Sequence, residues 1–62
     1  MSGTEVRRIR RSLRLSQAAF ARLLRVTPLT VSRWERDDVR VTDPMALLIE
    51  LAAEKATKER QR

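Results

Sequence analysis

Both prolines of this chain directly follow a residue type that caps helix N-termini, so each pair predicts where a helix begins. The pairs are Thr27-Pro28 and Asp43-Pro44. A side-chain oxygen at the cap accepts a hydrogen bond from a free backbone N–H. Proline suits the next position because its missing N–H would have had no partner there. The pairs predict a third helix from about Pro28 to Arg36 and a fourth that starts at Pro44.

Two further helices are predicted before these from caps and apolar spacing. Ser2 or Thr4 can cap the first, and Ser2 with Glu5 has capping-box spacing. Ser16 can cap the second. Apolar residues spaced as one helical stripe should face inward: Val6, Ile9 and Leu13 in the first helix, and Phe20, Leu23 and Leu24 in the second. We therefore expect an all-α fold.

Composition excludes several classes of protein. The 62 residues contain no cysteine and no histidine, so a disulfide framework, the usual zinc sites, a thiol nucleophile and a histidine-based triad are all excluded. The single glycine, Gly3, rules out a glycine-rich phosphate loop, and the eight carboxylates show no spacing typical of a catalytic dyad or a metal loop. We expect no enzyme, no metal site and no cofactor.

The net charge of +6 favours a polyanionic partner. The basic residues from Arg7 to Arg40 are all arginine, which suits bidentate contact with phosphate and guanine. No apolar run approaches the ~20 residues that span a bilayer, and charges interrupt the N-terminal segment. A soluble cytoplasmic protein without a membrane role is expected.

The third helix has two chemically different sides. On a helical wheel Val31 and Trp34 share the side expected to be buried. The opposite side carries an apolar residue, a hydroxyl and two cations, which are Leu29, Ser32, Arg33 and Arg36. This combination of side chains has a functional meaning only if that side of the helix contacts a partner.

The fourth helix is apolar over more of its circumference than one buried face requires. The excess predicts a second buried face, on another copy of the chain, with Leu47 and Leu51 as interface residues. The alternative is that the alanines of the helix inflate its apolar arc without a second buried face. We place the domain at residues 1–54 and a charged helical end or tail at residues 55–62.

The segment "LSQAAFARLLRVTPLTVSRWE" resembles the phage repressor/Cro (XRE-type) helix-turn-helix family of DNA-binding proteins. The resemblance covers about residues 6–52, with the motif at about 17–36. It implies a compact four- to five-helix repressor-like domain that docks the second helix of the motif in the major groove of double-stranded DNA.

The resemblance also assigns roles to individual residues. Those expected to read bases are Pro28, Leu29, Ser32 and Arg33. Those expected to bind phosphates are Gln17, Thr27, Thr30, Arg36 and Arg40. Arg33 is the strongest candidate for direct readout because a guanidinium can bond guanine O6 and N7 together. The alternative for Arg40 is that it contacts no phosphate and only keeps its loop soluble.

Glu35 does not suit a DNA-binding surface and is expected to be structural. It lies on the flank next to Val31, where Arg10 of the first helix can reach it, and the family resemblance supports an Arg10–Glu35 ion pair. Arg14, Arg25 and Asp37 stand where the family often has glycine. Such positions often require a positive φ, so either the turn geometry differs or stability has been exchanged for positive charge.

The functional expectation is a sequence-specific DNA-binding transcriptional regulator, as a repressor, that binds a pseudo-palindromic operator as a homodimer. One alternative is an antitoxin-type module that binds a toxin-like protein partner and autoregulates its operon. The other is a non-specific nucleic-acid binder, which would bind operator and random DNA equally at matched salt.

Overall fold

Four helices make up the computed structural model, which describes residues 1–60. They are α1 (Gly3–Ser12), α2 (Gln17–Leu24), α3 (Pro28–Glu35) and α4 (Asp43–Arg60). The described residues contain no strand. The all-α prediction is confirmed, with the lower of the expected helix numbers. α4 runs through the domain boundary proposed after residue 54, and residues 61 and 62 of the proposed charged end lie outside the described residues.

Three predicted N-caps are confirmed by their hydrogen bonds. The side-chain oxygens of Ser2, Ser16 and Thr27 each accept from the backbone N–H three residues ahead, at 3.2, 3.1 and 3.2 Å. Pro28 is the first residue of α3, as expected. These bonds satisfy N–H groups that the helices themselves leave without a partner.

The predicted cap of α4 is wrong by one residue. The helix begins at Asp43 itself, and the carbonyl of Thr42 accepts from the N–H of Ala46 at 2.8 Å. Asp43 therefore lies in the first turn, where its negative charge still favours the positive end of the helix dipole.

Each helix contributes apolar side chains to one core. The buried set is Val6, Ile9, Phe20, Ala21, Leu24, Val31, Trp34, Val41 and Ile49, with Leu13 partly buried against it. The inward prediction for Leu23 is wrong, since this residue is 54% exposed. It lines an open groove between α2 and the C-terminal half of α4, together with Ala52 and Lys55.

Three non-glycine residues adopt left-handed backbone conformations. The φ angles are 58° at Arg14, 62° at Arg25 and 60° at Asp37. The turn geometry of the family pattern is thus kept without glycine, at a cost of about 1 kcal/mol for each such residue. Asp37 recovers part of this cost because its carboxylate accepts from the N–H of Gly3 at 2.8 Å.

Gly3 is required by close packing between α1 and the end of α3. A Cβ at this position would lie 2.5 Å from the carbonyl oxygen of Glu35 and 2.6 Å from that of Trp34. Both atoms belong to the backbone and cannot rotate away. The contact brings the start of α1 directly onto the C-terminus of α3.

The side of α4 that points away from the core carries three leucines. Leu47, Leu48 and Leu51 are each about half exposed, whereas Ile49 is fully buried. We call these three leucines the outer face of α4. The predicted core face of α4 is confirmed, and the predicted second buried face stays a prediction.

Candidate nucleic-acid interface

α3 presents a polar and apolar surface that faces away from the core. Pro28, Leu29 and Arg33 are exposed, and Ser32 is partly buried beside them. Leu29 is exposed because Val31 and Trp34 take the inward positions of this two-turn helix. The four residues expected to read bases thus share the free side of one rigid helix.

The side chains of Thr27 and Thr30, at the start of α3, are hydrogen-bonded to each other. Their hydroxyl oxygens lie 2.9 Å apart, and Thr27 Oγ1 also accepts from the backbone N–H of Thr30. Since one hydroxyl proton is used between the two side chains, one remains for an outside acceptor such as a phosphate oxygen.

The buried carboxylate of Glu35 joins the three helices of the motif region. Its Oε2 accepts from Arg10 Nε at 2.6 Å. Its Oε1 accepts from Arg10 Nη2 at 3.1 Å, Arg7 Nε at 3.2 Å and Gln17 Nε2 at 3.3 Å. The contacts link α1, α2 and α3, and we call these four residues the Glu35 cluster.

The cluster keeps both members of its central ion pair charged. Burial by itself would raise the pKa of Glu35, but hydrogen bonds from Arg10, Gln17 and Arg7 outweigh it and hold that pKa below its usual value. The hydrogen bond to Glu35 raises the pKa of Arg10. The expected Arg10–Glu35 pair is present as a bidentate contact, which is the strongest geometry for a guanidinium and a carboxylate.

Two members of the cluster were missed by sequence reasoning. No contact of Arg7 with Glu35 was expected, although its spacing of i, i+3 from Arg10 places both on neighbouring positions of α1. Gln17 was expected to bind phosphate only. In the structure its amide donates one N–H to Glu35, which leaves its second N–H and its carbonyl oxygen for an outside partner.

The remaining phosphate candidates lie after α3. Arg36 Nε is 3.2 Å from Asp38 Oδ2, and both side chains are more than half exposed. An exposed pair of this kind contributes at most about 1 kcal/mol, so a phosphate can compete for Arg36. Arg40 is exposed in the loop before α4.

A family comparison identifies this arrangement. The helix-turn-helix family model matches residues 6–55 of the 62-residue chain. The match includes most of α1, all of α2 and α3, and most of α4. The chain belongs to the XRE-type helix-turn-helix family.

Membership of this helix-turn-helix family indicates a DNA-binding transcriptional regulator. Members of the family are typically not enzymes. No curated protein and no solved structure matches the chain. In the described part of the chain, no helix has the length and apolar character needed to span a membrane.

Proposed function

We propose that this protein is a sequence-specific transcriptional repressor that binds a pseudo-palindromic operator as a homodimer. The observation that carries the proposal is the division of α3 into two sides. Val31, Trp34 and Glu35 are buried against the body, while Leu29 and Arg33 are exposed. A helix held in this way can enter the major groove without rearrangement.

The base-reading side combines one strong hydrogen-bond donor with apolar contacts. Arg33 can donate to guanine O6 and N7, and Ser32 can donate or accept at several bases. Pro28 and Leu29 have no side-chain donor or acceptor and can contact thymine methyl groups. Discrimination should therefore be strongest at the base pair that Arg33 reaches.

Phosphate contacts would fix the helix in register at both of its ends. Gln17 lies at the start of α2, and its remaining N–H is available for a phosphate. Thr27 and Thr30 share one free hydroxyl proton at the start of α3. Arg36 and Arg40 supply positive charge after α3. Such contacts position a protein on DNA without reading its sequence.

The homodimer rests on the outer face of α4. A two-fold axis through this face would place the same leucines of both protomers against each other, as in any isologous interface. Leu47 and Leu51 are one helical turn apart and would form the centre of the contact. Two recognition helices on a palindromic site must then lie about 34 Å apart.

Selection of binding sites from a pool of random duplex DNA tests the proposal. The purified protein should enrich a motif with two inverted half-sites whose centres are about 10 base pairs apart. Enrichment of one isolated half-site would contradict the homodimer. Equal binding of the starting pool and the selected pool at matched salt would contradict sequence-specific recognition.

A further inference from the structure

Two arginines share the single carboxylate of the Glu35 cluster, and they do so unequally. The Arg10 side chain is 13% exposed, and all of its guanidinium nitrogens donate, two of them to Glu35 and Nη1 to the carbonyl of Leu15. The Arg7 side chain is 47% exposed and contacts Glu35 through Nε. Arg10 is therefore a largely buried structural residue, whereas Arg7 lies at the protein surface.

Arg7 adds a positive charge that the cluster does not neutralise. One carboxylate balances the charge of Arg10 in its bidentate contact, so the second guanidinium leaves the site with a net charge of +1. Glu35 Oε1 also keeps Arg10 Nη2 and Gln17 Nε2 as donors if Arg7 moves. Arg7 can thus bind another anion without leaving Glu35 unsatisfied.

Arg7 on α1 lies near Gln17 on α2. Both side chains donate to the same oxygen of Glu35, which brings them to neighbouring places at the junction of α1 and α2. In the described residues the Arg7 contact uses Nε, so its two Nη groups remain for an outside acceptor. Their planar geometry fits a phosphate group.

Arg11 extends this positive surface along α1. It is exposed and lies four residues after Arg7, which is one helical turn or about 6 Å along the axis on the same side. The one acidic residue of α1, Glu5, lies in its first turn. The side of α1 that begins at Arg7 is therefore purely cationic.

We propose that Arg7 and Arg11 bind successive phosphates of the DNA strand that passes Gln17. The ligand is the phosphodiester backbone of duplex DNA, and the contacts extend the bound surface from the helix-turn-helix motif onto α1. This inference rests on the proposed function, since it places α3 in the major groove. Arg7 then has two partners, Glu35 through Nε and a phosphate through its Nη groups.

Salt dependence of DNA binding tests the inference with charge-matched variants. The double variant Arg7→Gln/Arg11→Gln is compared with Lys55→Gln/Lys58→Gln, which removes two exposed cations from the C-terminal half of α4. Affinity for one duplex is measured by fluorescence anisotropy over a range of salt concentrations. Each phosphate contact contributes a slope of about 0.9 in log affinity against log salt, or roughly eightfold in affinity at 0.1 M salt.

The expected result is a slope reduced by about 1.8 for Arg7→Gln/Arg11→Gln, with affinity lowered roughly sixtyfold at 0.1 M salt. The control pair should keep the slope of the unchanged protein. Arg7→Lys/Arg11→Lys should also keep it, because lysine retains the charge although it loses the planar donor group. A purely structural role for Arg7 would lower thermal stability and leave the slope unchanged.

The single variant Arg11→Gln covers the case in which loss of Arg7 impairs folding. Arg11 is exposed, so its replacement should leave the fold intact and lower the slope by about 0.9. Equal slopes for Arg11→Gln and Lys58→Gln would overturn the inference while the proposed function stands. Absence of salt-dependent binding to any duplex by the unchanged protein would overturn both.

Discussion

The Glu35 cluster and the outer face of α4 differ in chemistry and in exposure to solvent. In the cluster, a carboxylate with only 1% side-chain exposure receives four hydrogen bonds from three side chains. On α4, three leucines are each about half exposed to solvent. The charged carboxylate is thus shielded from solvent, whereas the apolar leucine side chains are exposed to it.

The difference shows how to separate residues that build this fold from those that serve a partner. Burial of an ionised group is tolerated only when its partners are supplied by the protein itself, so the Glu35 cluster is part of the architecture. An exposed apolar surface contributes to stability only when a partner covers it and removes it from water. The predictions below test both halves of this distinction.

The largest expected effect follows from removal of the buried carboxylate. Glu35→Ala leaves the largely buried Arg10 guanidinium without its anion, and we expect the free energy of unfolding to fall by about 3–5 kcal/mol. The measurement is urea unfolding followed by circular dichroism. The matched control is Asp38→Ala, which breaks the exposed pair with Arg36 and should cost no more than about 1 kcal/mol. Equal losses in the two variants would contradict a structural role for the cluster.

The next effect concerns the outer face of α4. Leu51→Gln removes two leucines from the proposed two-fold interface, one from each protomer, and should weaken dimerisation by about 2–3 kcal/mol, on the order of a hundredfold. Sedimentation equilibrium measures the change, and Leu47→Gln should behave in the same way. The control is Leu23→Gln, which alters another exposed leucine that lies in the groove beside α2. An unchanged association constant for Leu51→Gln would exclude this face as the interface.

Much of the fold could be predicted because its signals are local in the chain. The caps at Ser2, Ser16 and Thr27 each act over three residues, and Pro28 acts at its own position. The three left-handed positions could be named because the family pattern places glycine there. Local signals of this kind depend little on how the helices pack.

The features that were missed depend on packing between helices. Leu23 has the spacing of an inward residue, but no helix covers its position. The contacts of Arg7 and Gln17 with Glu35 join residues 28 and 18 positions apart in the chain. The spacing within α1 could have indicated Arg7, whereas only the packed structure shows that Gln17 reaches the same carboxylate.

The smallest effect compares two left-handed residues with different surroundings. Arg25→Gly should relieve backbone strain and stabilise the protein by about 0.5 kcal/mol, after the greater freedom of glycine in the unfolded chain is subtracted. Asp37→Gly relieves the same strain but loses the bond to the Gly3 N–H, worth about 1 kcal/mol. Thermal unfolding should therefore rank Arg25→Gly above the unchanged protein and Asp37→Gly below it. Equal gains in stability for Asp37→Gly and Arg25→Gly would show that the Asp37 contact contributes nothing.

The central claim is that the exposed side of α3 reads DNA sequence, and a parallel selection with Arg33→Ala tests it most directly. Both proteins select sites from the same random duplex pool. The account predicts that Arg33→Ala loses preference at one base pair in each half-site, keeps it elsewhere, and binds the original site about 1–3 kcal/mol more weakly. Identical selected motifs for the two proteins would contradict the claim.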